Sequence, residues 1–378
     1  MRMSPYTLPQ AIHLNPLQQW RFFSQPASMY SQLSQQYPDL VVFHFQGRDV
    51  VGILSSKGIQ QVFSAEPDGY DVFWKEAFTG LSGSEVVFVL AGEKHRRERQ
   101  LFAPTFNAHN YRAYAETIRA LTRHHTSQWQ PGQTVRAVDT TSTLWLDIIT
   151  HLFFGSENNK YFEAVKRIHT NLQHSMHPLI VFFPALQRHW FPFWRRYDRA
   201  RTDFSDWVIR YLAERHAQGR EIDDVTGHIL ALRDEDDYLI SDERIRDAIY
   251  SFLGPGHQTT ATALAWALYE LGRHPAVLEK LRVELSALEA DSDLGLLVTQ
   301  PYLSAVCNET LRLHPIIVEC ARVPIAPMEI LGYTIPAGLG LVISITGIHH
   351  DPALYPEPER FIPERFIERA YTPFEFLP

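Results

Sequence analysis

Glu309 and Arg312 stand three residues apart in Asn308-Glu309-Thr310-Leu311-Arg312-Leu313-His314-Pro315. On a helix that spacing puts both side chains on one face, where they can pair. An isolated pair of this kind is ordinarily a solvated bridge of little energetic worth. Here the neighbours are apolar, so the pair is expected to be buried and to need full hydrogen bonding. A further guanidinium, Arg365, follows in Pro363-Glu364-Arg365-Phe366. Gly254-Pro255-Gly256-His257-Gln258-Thr259-Thr260 sets hydroxyls and an amide into an otherwise apolar stretch, where a threonine usually bonds back to its own turn. Gly92-Glu93-Lys94-His95-Arg96-Arg97-Glu98-Arg99 is a basic cluster of the kind that forms a solvated helix face. Within it His95 and Arg99 are four apart and can point the same way. His349 and His350 are adjacent and, taken alone, suggest a metal site. Cys307 and Cys320, the two cysteines, are not at metal-ligand spacing.

These residues need elements to hold them. Val41–Gln46 and Val50–Leu54 are β-branched and aromatic, with Gly47, Arg48 and Asp49 between them, which predicts a β-hairpin. Lys57–Ser64 then reads as a helix. From about residue 95 to 320 the pattern is mostly helical. Ser241 caps a predicted helix whose first turn carries Asp242 and Glu243 and which runs to about Leu271. Its middle is apolar almost all round, the mark of a helix in a large core. Pro275 opens another helix, with Leu278, Leu281 and Leu285 on one face. Leu303–Leu313 makes a third. Met328–Leu331 and Leu341–Ile345 read as short strands around the turn at Ile335–Gly338, and Asp351–Pro378 as irregular. The acidic stretch Asp234–Asp237 is expected to be a surface loop. Helices in the middle with small sheets near both ends predict a mainly α, α+β fold, here a single domain over 1–378.

In their order, these segments resemble the cytochrome P-450 family of haem-thiolate monooxygenases, in particular its soluble bacterial members, over roughly residues 30 to 376. The E-x-x-R helix is Glu309–Arg312 and the P-E-R-F segment Pro363–Phe366. The turn Gly332–Gly338 matches G-Y-x-I-P-x-G, and His349 through Pro358 matches an H-x-D-P…P-x-P run, which argues against reading the two histidines as ligands. The resemblance implies that Glu309, Arg312 and Arg365 form a structural triad. It implies that His95, Arg99 and Arg322 hold the carboxylates of a haem, which a guanidinium can bind through two parallel hydrogen bonds. Lys94, Arg96 and Arg97 would be free to meet an acidic electron donor.

By the same resemblance, Gly254–Thr260 is the distal helix. Its family pattern is A-G-x-[DE]-T-T, and the threonine and acid help deliver protons to bound oxygen. Thr259 matches the threonine. Two positions depart from the pattern. Gln258 replaces the acid and has no acidic proton to give, though it could orient a water. Pro255 replaces the alanine, removing a backbone donor at a cost of about 3 kcal/mol in an ordinary helix. Slower or altered oxygen activation is the expectation. The family's cysteine ligand to iron, in a loop of the form F-x-x-G-x-R-x-C-x-G, is expected beyond Pro378, with no metal ligand inside 1–378. Cys307 and Cys320 then read as inert buried thiols. On that expectation the domain is incomplete at its C-terminus and exposes an apolar patch at some cost in stability.

The 378 residues are 45% hydrophobic and 21% charged, ordinary for a folded protein, and the net charge of -8 argues against general nucleic-acid binding. Two cysteines are too few for a disulfide framework and suit a reducing compartment. The first residues carry no long apolar run, so neither a signal peptide nor a membrane anchor is expected, and the predicted location is cytoplasmic. The resemblance implies a monomeric monooxygenase with haem, O2 and electrons from a ferredoxin- or flavodoxin-like protein, since no flavin or dinucleotide segment is visible. Phe182, Phe183, Trp190, Phe191, Phe193 and Trp194 fall near the family's access-channel helices and favour a fatty-acid- or terpene-like substrate, to be hydroxylated or epoxidised. Two alternatives remain open: a haem-free, non-catalytic remnant of the fold, and a peroxygenase, lyase or isomerase.

Overall fold

The computed structural model describes residues 8–45, 47–106, 108–155, 159–219, 224–288 and 294–378. Two compact units share the chain. One takes it up to Phe73 and again from Trp266 onward; the other is Trp74–Ala265.

The first unit carries the sheets. Its strands are β1 Ile12–His13, β2 Leu40–Phe45, β3 Arg48–Ile53, β4 Tyr70–Asp71, β5 Glu319–Pro324, β6 Met328–Ile330, β7 Tyr333–Ile335 and β8 Gly340–Ser344. Six of them form one sheet in the order β1-β2-β3-β8-β5-β4, and β6 and β7 form a separate pair. The predicted hairpin is β2 against β3, antiparallel with Val42 opposite Val51; Gln46 lies outside the described residues. β8 is parallel to β3 and antiparallel to β5. Flanked on both sides and buried at every position, it carries the apolar run Leu341-Val342-Ile343 that such a strand requires. It starts at Gly340, where a Cβ would stand 2.1 Å from the Phe73 ring, so a side chain there would force that ring aside. Ser55 caps the helix Ser56–Phe63 through a bond from the Gly58 N–H.

The second unit is helical. The helices used below are α1 Gly92–Phe102, α2 Ala137–Phe154, α3 Asn159–Ser175, α4 Pro192–Gln218 and α5 Asp242–Arg273, the last of which passes its final residues, from Trp266, to the first unit. Ile149, Phe153, Leu172, Tyr197, Phe204, Val208, Ile245 and Leu253 belong to one continuous buried cluster built from these helices. As predicted, Ser241 caps α5 by accepting from the Arg244 N–H at 3.3 Å, and Asp242 and Glu243 occupy the first turn. The sequence reading of α5 as buried almost all round needs correction. Pro255 and Gln258 are exposed, and Leu264, Leu268 and Tyr269 are each more than a third exposed.

Back in the first unit, Pro275–Ser286 forms α6 and Pro301–Leu313 forms α7, both opened by a proline in the first turn. Leu281, Tyr302, Val306 and Phe361 pack together between them and the tail. The fold is mainly helical with small sheets, the class read from the sequence. Among the described residues no helix is long and apolar enough to cross a membrane.

Candidate functional site

In the first unit the structure brings Glu309, Arg312 and Arg365 together. Arg312 Nε donates to Glu309 Oε2 at 2.7 Å and its Nη2 to Oε1 at 2.9 Å. Arg365 Nε lies 3.4 Å from Oε1. The Ile362 N–H donates to the same oxygen at 2.9 Å. Arg312 also donates to the carbonyls of His349 and Arg360, and Arg365 to that of Glu357. Glu309 and Arg312 are 0% exposed and hydrogen-bonded to each other, whereas Arg365 Nε is buried without a hydrogen-bond partner and is held to Glu309 by charge. Its function is to fasten residues 349–365 onto α7.

His349 is not a metal ligand here. Its Nε2 accepts from the Leu377 N–H at 3.0 Å, which places the ring hydrogen on Nδ1, and its ring stacks on Phe376. Burial, with the Arg312 charge beside it, lowers its pKa to about 3. No group of three or more His, Cys, Asp or Glu side chains able to hold a metal occurs among the described residues. Cys307 lies on α7 and Cys320 in β5. Cys320 is half-buried but Cys307 is exposed, which corrects the reading of both as buried; partial desolvation raises both thiols above their ordinary range, the opposite of what a thiolate ligand needs. Neither fits as a ligand to iron.

Arg322, in β5, is half-buried, and its guanidinium sits 6.0 Å from the centre of the Phe63 ring. Its only hydrogen bond among the described residues is to the adjacent Ala321 carbonyl. In the second unit, Arg99 is exposed on α1 and makes no side-chain hydrogen bond or ion pair among the described residues. His95, one turn earlier, is half-buried. Each guanidinium therefore keeps a free fork, which fits the carboxylates of a haem. The other basic residues of α1 are less free than the sequence suggested. Glu93 pairs with both Arg96 and Arg97, and Arg97 also reaches Glu235 at 3.4 Å.

The middle of α5 is the most elaborated stretch of the second unit. Pro255 supplies no N–H, so the helix loses one internal bond there. α2 grips the turns that follow. Trp145 Nε1 donates to the Gly256 carbonyl at 2.8 Å, and Thr141 Oγ1 to the Ala261 carbonyl at 2.8 Å. His257 Nε2 lies 3.1 Å from the Ser142 carbonyl, so it must be the protonated nitrogen. Its Nδ1 therefore accepts from Nε2 of His169 on α3, at 3.2 Å. Burial pushes the His169 pKa down to about 3 and lowers that of His257, so this pair is neutral. On the opposite face, Thr259 Oγ1 donates to the Pro255 carbonyl at 2.8 Å. That uses its single hydrogen and leaves its lone pairs outward beside the exposed Gln258. Sequence reasoning identified Gln258 and Thr259. It missed Thr141, Ser142, Trp145 and His169, whose role exists only through packing; His257, inside the motif, was the one available signal.

The cytochrome P450 family model matches residues 5–378. The chain belongs to the cytochrome P450 family. This P450 is 30% identical over 327 residues to cytochrome P450 135A1 of Mycobacterium tuberculosis, covering 85% of this chain and 70% of that one. It is 32% identical over 288 residues to cyclooctat-9-en-7-ol 5-monooxygenase of Streptomyces melanosporofaciens, covering 74% and 62% respectively. Its fold matches that of retinoic acid bound cyanobacterial CYP120A1 with a TM-score of 0.83 at 24% identity, over 99% of this chain and 86% of that one. The family's chemistry is haem-dependent monooxygenation, an oxidoreductase activity.

Proposed function

We propose that this P450 inserts one oxygen atom from O2 into a hydrophobic small molecule, by hydroxylation or epoxidation, with electrons from a separate ferredoxin- or flavodoxin-like protein. The observation that carries this reading is Thr259, an acceptor hydroxyl on the uncovered face of α5 beside the Pro255 break. His95, Arg99 and Arg322 would hold the haem through its carboxylates. When bound, the haem supplies the centre at which O2 is reduced. The chain's own part is to manage water and protons. Thr259 Oγ1 would accept a hydrogen bond from a water, holding that proton donor at one place. Gln258 presents an amide that orients water but transfers no proton.

A fatty-acid- or terpene-like substrate is supported by the aromatic surface of residues 176–194. Trp190, Phe183 and Phe193 are exposed there, and Phe193 stacks on His177 at 4.0 Å. The cyclic alkenol named for the Streptomyces relative is compatible with such a substrate. Gln258, standing where an acid is usual, favours a second reading in which peroxide replaces O2 and electrons, or in which the reaction is a lyase or isomerase step.

The test is product formation by haem-loaded protein that also carries the cysteine-bearing segment expected beyond Pro378 and shows the reduced carbon-monoxide spectrum of thiolate-ligated haem. With O2 and a donor, Gln258→Glu is expected to raise product formed per electron consumed, and Thr259→Ala to lower it about tenfold or more. Equal yield from both variants and the parent would remove Thr259 from the reaction. Product from peroxide alone, unaffected by a donor, selects the second reading.

A further inference from the structure

Pro192 opens α4 and leaves its first turns with two faces. Trp194, Tyr197, Ala200 and Phe204 are buried, while Phe193, Arg195 and Arg196 are exposed. The rings continue outward from Phe193. It stacks on His177 at 4.0 Å and meets Phe191 edge-on at 5.5 Å, and Phe191 meets Trp190 at 5.6 Å. Met176, Leu179, Phe183, Trp190 and Phe193 are all well exposed, from 38% at Leu179 to 69% at Trp190. Apolar groups gathered this way mark a place where something binds. They are also held in place. Gln187 Nε2 donates to the Ile180 carbonyl at 2.8 Å and to the Ala77 carbonyl at 3.0 Å, which uses both of its hydrogens. A Cβ at Gly80 would stand 1.7 Å from Gln187 Oε1, so glycine there leaves room for this staple.

Charge decides what covers the patch. The chain has a net charge of -8, yet residues 164–197 contain no Asp or Glu. Arg188, Arg195 and Arg196 flank the rings, are exposed, and form no ion pair among the described residues. The next carboxylate, Asp198, is engaged by Arg201 at 2.8 Å and faces His189 at 3.8 Å. Lys75 and Glu76, both exposed on the neighbouring helix Lys75–Ser82, offset each other. Asp203, the first exposed acid on α4, lies two turns or about 10 Å beyond Arg196. A guanidinium meets phosphate oxygens through paired N–H groups, and exposed Trp and Phe side chains settle at the boundary of headgroups and acyl chains.

We propose that residues 176–196 dock this protein on the surface of an anionic lipid bilayer, with the rings entering the headgroup boundary and Arg188, Arg195 and Arg196 meeting lipid phosphates. The docking needs no haem and does not rest on the oxygen chemistry above. It would set the protein beside hydrophobic molecules dissolved in the lipid.

The experiment is co-sedimentation of the full chain with vesicles of phosphatidylcholine alone and of a two-to-one mixture of phosphatidylcholine and phosphatidylglycerol. Binding to the mixed vesicles, at least tenfold tighter than to the neutral ones and weakened as salt rises from about 0.1 to about 0.5 M, is expected. The double variant Arg195→Gln, Arg196→Gln should weaken it about tenfold or more, and Trp190→Ala with Phe193→Ala by a similar factor, in protein whose melting transition is unchanged. Failure to bind, equal binding to both vesicles, or binding unmoved by either double variant would overturn the proposal; in the last case another apolar face, such as that of Leu264 and Leu268, does the sticking. Sedimentation velocity adds a further way to lose it: a dimer of the parent that Trp190→Ala with Phe193→Ala makes monomeric would show that a second copy covers the patch.

Discussion

Around Glu309 the oxygens are taken up by Arg312, Arg365 and the Ile362 N–H, and the guanidiniums spread their remaining donors over three carbonyls. Around Thr259 the inner face of α5 is gripped by Trp145, Thr141 and His257, while the outer face leaves Thr259 lone pairs and the Gln258 amide uncommitted. Both regions are polar insertions in apolar helices. The first is buried and almost closed on itself, with Arg365 Nε left without a hydrogen bond and out of reach of solvent, and it holds structure. The second is closed on one side and open on the other, the arrangement expected of a segment that must stay put while something else binds to it. The difference lies in unused hydrogen-bonding capacity, not in residue type.

The comparison breaks most easily at Glu309. Glu309→Gln keeps the shape but leaves Arg312 and Arg365 as buried cations with no counter-charge. A loss of about 3–5 kcal/mol is expected, a large part of the 5–15 kcal/mol typical of a folded protein. Urea denaturation measures it, and an unchanged midpoint would mean that the cluster does not hold residues 349–365 as described.

Acid should strain both regions at once, because each unit contains a buried neutral histidine. His349 and His169 both have folded pKa values of about 3. The unfolded chain takes up a proton on each near 6.5. Stability is thus complete above about pH 6.5 and falls as pH drops toward 3, by about 1.4 kcal/mol per pH unit for each ring. Unfolding free energies at pH 7 and pH 5 test this, with about 2 kcal/mol per ring expected. His169→Gln should remove that ring's own share of the fall, about 2 kcal/mol between pH 7 and pH 5. A flat profile in the parent would show that neither ring is held neutral.

How much of this was legible beforehand follows the same division. Glu309, Arg312 and Arg365 could be singled out because a charged pair among Leu311, Leu313 and Val306 is conspicuous in a one-dimensional pattern. The hairpin, the caps at Ser241 and Pro275, and the helix class follow from local chemistry and appear within a residue or two of the predicted limits. The clamp on α5 did not show, because Thr141, Ser142 and Trp145 look like ordinary helix residues until α2 packs beside Gly256 and Ala261. His169 is 88 residues from its partner His257, and no periodicity links positions so far apart. The pairing of Glu93 with Arg96 and Arg97 was readable from i,i+3 and i,i+4 spacing, and the basic cluster drew attention away from it.

Trp145→Phe sharpens the view of the gripped face. It keeps an aromatic ring but removes the indole N–H and part of the side-chain volume, at an expected cost of about 1–3 kcal/mol. The local effect should exceed the global one: amide exchange in residues 256–261 should speed up relative to the rest of α5. Uniform acceleration along the helix would mean that the bond to the Gly256 carbonyl is incidental.

The smallest effect on stability belongs to the residue with the largest proposed role. Thr259→Val deletes a hydroxyl whose bond to the Pro255 carbonyl lies on the outer face, where water can replace it. A change within about 0.5 kcal/mol is expected, and the β-branched shape is kept. If Thr259 is uncommitted for a purpose, the haem-loaded variant should melt like the parent while losing oxygen coupling. A substantial loss of stability would instead place Thr259 with Glu309 as structure, and the contrast between the two regions would disappear.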